Sequence, residues 1–348
     1  MRIESIAYAH PIRRVTNEAL VEEIERANSK TLSPQDRERL VRRLNQLFAR
    51  VGAAARYLRS GGERAIDFGV KAAREAIGSA GAAPSDVDLI IYAGVRRAFI
   101  EPATAGLFQA ELGLSRATGF DVGDACASWL RSVDLAGHLL DSGAYRNALI
   151  LTCEFNFHEY GSMTLDSLSE FQGLEAGCTV GEAATATFLT RDDASSVPSR
   201  FYASFRTLGQ YADLCQIPLP GSKQFATSRD SVDQPSLRFF ANARELNARV
   251  TRALKEHFVS DKVLQGQEFD VSFGHSAGVP AARRVGRKLG LPTSKHFEIF
   301  PEYGNTVSSS IPLAMALASE QGRLQRGDRA LAIVGSAGVT TGFGLIDY

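Results

Sequence analysis

Continuous apolar runs alternating with helical spacing constrain this chain more than any other feature of its sequence. Val87 to Gly94, Thr118 to Val122 and Asn147 to Cys153 are short and apolar. Between them lie Pro102 to Leu112 and a segment in which Leu130, Val133, Gly137 and Leu140 recur at helical intervals. Strands that are apolar on both faces must be covered on both faces, so the pattern predicts an α/β fold with a parallel sheet between helices. Glu182 to Leu189 adds a strand of small and β-branched residues. Upstream stand a strand, Ile3 to Tyr8, and a helix opened by Ser33 and Pro34, with Leu40, Leu44, Leu47, Phe48 and Val51 on one face. A further helix is predicted from Glu63 to Ala80.

The second half repeats the alternation. A strand near Arg200 to Phe205 is followed by an irregular stretch, Gly209 to Pro235. A long helix then carries Leu237, Phe240, Ala243, Leu246 and Val250 as its buried stripe. After it come a strand at Phe269 to Phe273, helices from about Ala277 to Leu289 and Val307 to Gln321, and closing strands at Ala330 to Gly335 and Thr340 to Asp347. The shared layout suggests an internal duplication. Polar residues from Asp192 to Pro198 set the expected boundary, giving halves 1–192 and 193–348.

With 348 residues, 44% of them hydrophobic, the chain can bury a sizeable core. Lys+Arg and Asp+Glu are each 39, which gives no reason to expect nucleic acid or an acidic membrane as partner. Cys126, Cys153, Cys178 and Cys215 show no metal-type or disulfide-framework spacing and read as reduced thiols of a cytoplasmic protein, the last three as core residues. No run of about 18 apolar residues occurs. Neither a metal cluster nor a dinucleotide fingerprint is present, so no cofactor is expected.

Three strand-to-helix junctions carry residues with chemistry. Asp124-Ala125-Cys126-Ala127 puts a thiol in the first turn of a helix, where free N–H groups favour an anion and thiols can titrate at about 3.5–7.5. Gly274-His275-Ser276-Ala277-Gly278 fits the nucleophile elbow G-x-S-x-G, but the hydrolase reading needs an acid and then a histidine downstream, and only His296 follows. His275, at the end of its strand, is the more useful residue. Tyr303-Gly304-Asn305-Thr306 is a glycine turn into a helix with an amide at its tip. In an open α/β sheet such junctions converge on the carboxyl edge, where ligands bind.

These motifs, with Arg326-Gly327-Asp328 and Gly335-Ser336-Ala337-Gly338 before the last strand, resemble in order and separation the ketoacyl-ACP synthase III group of thiolase-fold condensing enzymes. The resemblance implies two thiolase-like halves in a layered αβαβα arrangement, a homodimer, and a catalytic set of Cys126, His275 and Asn305. Cys126 would hold an acyl chain between two half-reactions. The backbone N–H groups of Cys126 and Ala337 would form an oxyanion hole. His275 and Asn305 would hold the carbonyl oxygen of a second thioester as its α-carbon becomes an enolate.

Departures from the usual pattern refine the expectation. Phe99-Ile100-Glu101-Pro102 places an acid where chain-initiating members carry an apolar gate. This resembles the branch that joins two acyl chains, including olefin-pathway and pyrone-forming ketosynthases, in which the glutamate reaches the neighbouring subunit's pocket. Glu101, desolvated there, would serve as base. The tryptophan and arginine pattern that grips coenzyme A is absent between Phe48 and Arg59. Arg283, Arg284, Arg287 and Lys288 crowd the helix after His275, where an acidic acyl carrier protein would dock.

The expected activity is a Claisen-type condensation of two acyl thioesters, at least one of them bound to an acyl carrier protein, in specialised polyketide or lipid biosynthesis. A decarboxylative initiating synthase, an acyltransferase to oxygen or nitrogen, and a non-catalytic partner subunit are the alternatives.

Overall fold

The structure is a computed structural model and describes residues 1–161, 164–192, 200–225 and 236–348. Two five-stranded sheets organise it. The first contains β1 (Arg2–Ala9), β2 (Leu89–Ala93), β3 (Thr118–Val122), β4 (Asn147–Glu154) and β5 (Ala183–Thr190), in the order β1-β5-β4-β2-β3. The second contains β6 (Phe201–Thr207), β7 (Val271–Gly274), β8 (His296–Phe297), β9 (Arg329–Ser336) and β10 (Thr340–Asp347), in the order β6-β10-β9-β7-β8. Adding five to each label of the first sheet gives the second, so the duplication is present in the topology.

Both sheets are mixed, which corrects the expectation of a parallel sheet. β4, β2 and β3 run parallel, whereas β5 is antiparallel to both β4 and β1. In the second sheet β8, β7 and β9 are parallel and β10 is antiparallel to β9 and β6. An antiparallel strand buried on both faces, such as β5, lacks the apolar–polar alternation just as a parallel one does.

Helices Ser128–Asp141 and Ser310–Glu320 lie between the sheets, and their buried residues share one cluster with the strands on either side. Ser310 to Ala318 are all buried, so this helix presents no polar face to water. Helices Ala65–Ser79 and Ala105–Glu111 cover the outer face of the first sheet. Ala243–Ser260 and Val279–Leu289 cover that of the second. The arrangement is the layered thiolase-like αβαβα fold.

Helix ends follow local chemistry. Ser33 accepts from the N–H of Asp36 at 3.2 Å, and Pro34 occupies the first turn. Asp121 accepts from the N–H groups of Thr104 and Ala105 at 2.8 and 2.9 Å, and the following helix opens at Ala105, three residues later than expected. Asn242 accepts from the N–H of Glu245 at 3.2 Å, fixing the start of the long helix at Ala243. Leu237 and Phe240 therefore stand outside that helix: Leu237 has a φ of 61°, and Phe240 pairs with Gln216 in a short ribbon. The expected boundary, 192/193, borders residues 193–199, which lie outside the described residues, as does part of the irregular stretch before Pro235. All strands of the first sheet fall within residues 2–190, and all those of the second within 201–347.

Candidate active site

Cys126 sits in a 3-10 turn, Ala125–Ala127, that joins β3 to the helix beginning at Ser128. Asp124 secures the turn. Its N–H donates to Ser128 Oγ at 2.8 Å, its carbonyl accepts from Ser336 Oγ at 3.0 Å, and its carboxylate accepts from Arg131 and Thr340. The turn packs against the start of the inter-sheet helix that follows Asn305 and against β9. Residues from both halves thus meet at the thiol.

His275 directly follows β7, its backbone N–H donating to Ile333 at 3.0 Å, and its Nδ1 lies 3.2 Å from Ser310 Oγ. Ser310 donates its single hydroxyl proton to the Val307 carbonyl at 2.9 Å, so this network assigns the ring proton to Nδ1 and leaves Nε2 as an acceptor. Burial lowers the imidazole pKa to about 4, which keeps His275 neutral at pH 7.

The main chain of Asn305 is held on both sides: its N–H donates to Thr179 at 2.8 Å and its carbonyl accepts from Gly181 at 3.0 Å. Its side-chain oxygen accepts from the Val307 N–H at 2.9 Å, so the amide NH₂ is left to donate. Glycine is required on both sides of this crossing. A Cβ at Gly181 would lie 1.8 Å from the Tyr303 carbonyl oxygen, and Gly304 has a φ of +65°.

Cys126, His275 and Asn305 line one cavity of about 1500 Å³, larger than the roughly 300–1,000 Å³ of ordinary ligand pockets. Val95 to Ile100 with Leu47, Arg50 and Val51 form part of its wall; Leu246, Val250, Val285 and Ile333 form another. Ser336 and Ala337 reach the wall beside the thiol, on the loop expected to complete the oxyanion hole. Gly335 admits the neighbouring helix, since a Cβ there would meet Val250 at 2.2 Å.

The thiol departs from its expected electrostatics. Burial pushes the Cys126 thiol well above its ordinary value, and nearby Cys215 and Glu154 push the same way; a Ser336 hydrogen bond and the Cys126 backbone oppose them only partly. The turn at Cys126 is 3-10, with the α-helix starting two residues later, so the dipole contribution is small against desolvation. Cys126 is therefore a protonated thiol beside a neutral imidazole. Cys215, expected in the core, lines the same cavity, whereas Cys153 and Cys178 are buried.

Glu101 is exposed and does not line the cavity of its own chain, although its neighbours Phe99 and Ile100 do. Arg283, Arg284, Arg287 and Lys288 are exposed on helix Val279–Leu289, and the first two reach the cavity wall. Arg50, on the helix opened by Ser33 and Pro34, and Arg244 join them there. Glu154 also escaped the sequence reading. A carboxylate ending a strand of seven residues without a charge was its only signal.

Among the described residues no group of three or more His, Cys, Asp or Glu is placed to hold a metal ion, and no helix is long and apolar enough to cross a membrane.

The fold and the junction chemistry define a thiolase-fold condensing enzyme, and comparison with known proteins agrees. Residues 260–348 match the family model described as 3-Oxoacyl-[acyl-carrier-protein (ACP)] synthase III C terminal. The chain is 30% identical to the β-ketoacyl-[acyl-carrier-protein] synthase III of Symbiobacterium thermophilum over 318 residues, covering 90% of this chain and 92% of that protein. It is 29% identical to the enzyme of that name from Clostridium perfringens over 301 residues, covering 85% and 88% respectively. Among solved structures, cerulenin-bound OleA of Xanthomonas campestris superposes with a TM-score of 0.84 at 22% identity, covering 100% of this chain and 96% of that one. An OleA variant with bound lauric acid and lauroyl-CoA gives 0.83 at 22%, covering 100% and 98%. The chain belongs to the β-ketoacyl-ACP synthase III family, and it is a condensing acyltransferase.

Proposed function

We propose that this enzyme joins two acyl thioesters by a Claisen-type condensation that needs no decarboxylation, with Cys126 as the acyl carrier within the site. The observation that carries the proposal is the meeting of Cys126, His275 and Asn305 at one cavity of about 1500 Å³ with apolar walls on two sides. In the first half-reaction the Cys126 sulfur attacks the thioester carbonyl. A C–S bond to Cys126 forms, the bond to the carrier sulfur breaks, and His275 Nε2 passes the thiol proton to the leaving sulfur. The backbone N–H groups of Cys126 and Ala337 would receive the oxyanion.

In the second half-reaction a base takes an α-proton from the second thioester. Asn305 donates to the enolate oxygen, the α-carbon bonds to the acyl carbonyl, and Cys126 leaves and regains a proton. The base proposed is Glu101 acting in trans within a homodimer. Its exposed position beside the apolar Phe99 and Ile100, the latter 84% exposed, supports this reading. The exposed arginines at the rim suit an anionic carrier, and we assign them to an acyl carrier protein, in fatty acid or related lipid biosynthesis. The lauroyl-CoA bound by the OleA variant supports a long-chain acyl donor.

Intact-protein mass spectrometry after incubation with acyl thioesters tests the first step: an acyl adduct should appear on the wild type and vanish in Cys126→Ala. Glu101→Gln should keep the adduct and lose the condensed product. Absence of any adduct would overturn the condensing role of Cys126, and equal loss of both steps in Glu101→Gln would remove Glu101 as base.

A further inference from the structure

Glu154 ends β4 with a carboxylate that has no contact with water, 0% exposed. Four donors converge on it. The N–H of Val95 and the hydroxyl of Ser308 reach Oε1 at 2.9 and 2.6 Å, and the N–H of Arg96 and the amide of Asn156 reach Oε2 at 3.4 and 2.6 Å. Gly94 makes the approach possible, since a Cβ there would lie 2.8 Å from Oε1. Three of the donors come from the cavity-lining segment 94–100 and from the turn that follows Asn305, so a single side chain clamps two walls of the site. Ser308 Oγ also lies 3.1 Å from the Ala93 carbonyl of β2, but its single proton goes to the nearer Glu154 Oε1.

A buried carboxylate with this many donors is costly to build and strongly position-determining. Nothing in acyl loading or enolate stabilisation requires it to touch substrate. We propose that Glu154 is a positioning residue for the condensation step, holding the Asn305 turn in register with the cavity segment 94–100 and with Cys126. Burial raises the Glu154 pKa while its four donors oppose that rise.

This inference rests on the condensing role proposed above, and the experiment separates the two. Glu154→Gln keeps shape but replaces one acceptor with a donor facing Ser308 or Asn156. The quantity read on wild type and variant is the ratio of condensed product formed to Cys126 acylated, which a merely destabilised enzyme would not change. The expected result is a product-to-adduct ratio at least tenfold lower. A ratio less than tenfold lower overturns the positioning role. Failure of the wild type to acylate Cys126 overturns the condensing reading and this proposal together. Should Glu154→Gln not fold, Ser308→Ala removes one donor and leaves the carboxyl group; it must still lower the ratio, or the clamp is not what positions Asn305.

Discussion

Thr340, in the last strand of the chain, donates its hydroxyl to Asp124 at 3.2 Å, and Asp124 lies two residues before the nucleophile. The bond crosses from one half of the duplicated fold to the other. Arg131 completes the clasp at 2.8 Å from the same carboxylate, with its guanidinium 3.7 Å from the Phe205 ring centroid. The nucleophile turn therefore has its geometry set by the second sheet, and the two halves cannot shift relative to each other without moving Cys126. Asp124→Ala strips an acceptor from both Arg131 and Thr340. Hydrogen bonds to charged groups contribute about 1.5–3 kcal/mol each, so a loss of roughly 2–4 kcal/mol in unfolding free energy is expected. Acyl loading should fall with it, measured as adduct formed per minute at a fixed substrate concentration. Chemical denaturation of Asp124→Ala within about 0.5 kcal/mol of wild type would refute the clasp.

Cys126 should behave as a hindered, protonated thiol in the free enzyme. Its pKa lies above the ordinary thiol value because it is desolvated and faces Glu154, so the thiolate fraction at pH 7 is small. Alkylation by iodoacetamide, followed by mass spectrometry of the Cys126 peptide, should be slow at pH 7 and still rising above pH 9. A plateau reached below pH 8 would mean a stabilised thiolate and a different resting state.

Much of the architecture was written locally. Cys126, His275 and Asn305 each sit at a junction whose flanking residues announce it, and the residues that hold them in place mostly do not. Glu154 meets Val95 from 59 positions away and Ser308 from 154 positions away, pairings that no periodicity encodes. The reactive-thiol expectation failed for the same reason: the chain shows a helix beginning near Cys126 but not the desolvation around the sulfur. The Leu237 and Phe240 stripe failed differently. Its spacing fits a helix, but the Asn242 cap sets the start six residues after Leu237. Orientation within the sheets was likewise hidden, since β5 is buried on both faces whichever way it runs.

Gly181 tests how tightly Asn305 must be placed. A methyl group there would lie 1.8 Å from the Tyr303 carbonyl oxygen, so Gly181→Ala must displace the Tyr303-Gly304-Asn305 turn. Cys126 lies on a different turn and keeps its own hydrogen bonds. Loading should persist while condensation falls, by up to about a hundredfold if the displacement approaches 1 Å. Comparing the acyl adduct with the condensed product on the same sample measures the split. A variant that condenses at the wild-type rate would show that the amide position is not critical.

Stability should fall on mild acidification, and two histidines set the window. His257 is buried, with Nε2 at 2.8 Å from Ser204 and Nδ1 at 2.9 Å from Thr341, and its pKa is lowered to about 4, chiefly by burial. His275 is lowered to about 4 by the same cause. Unfolded histidine titrates near 6.5, so between about pH 6.5 and 4 the unfolded chain binds more protons than the folded one. Their contribution is complete above pH 6.5 and is lost as the pH drops through about 4. Melting temperatures should decline between pH 7 and pH 4.5, and His257→Gln, which cannot acquire this charge, should show a shallower decline than wild type. Parallel declines in the two proteins would show that His257 is not among the groups that destabilise the fold in acid.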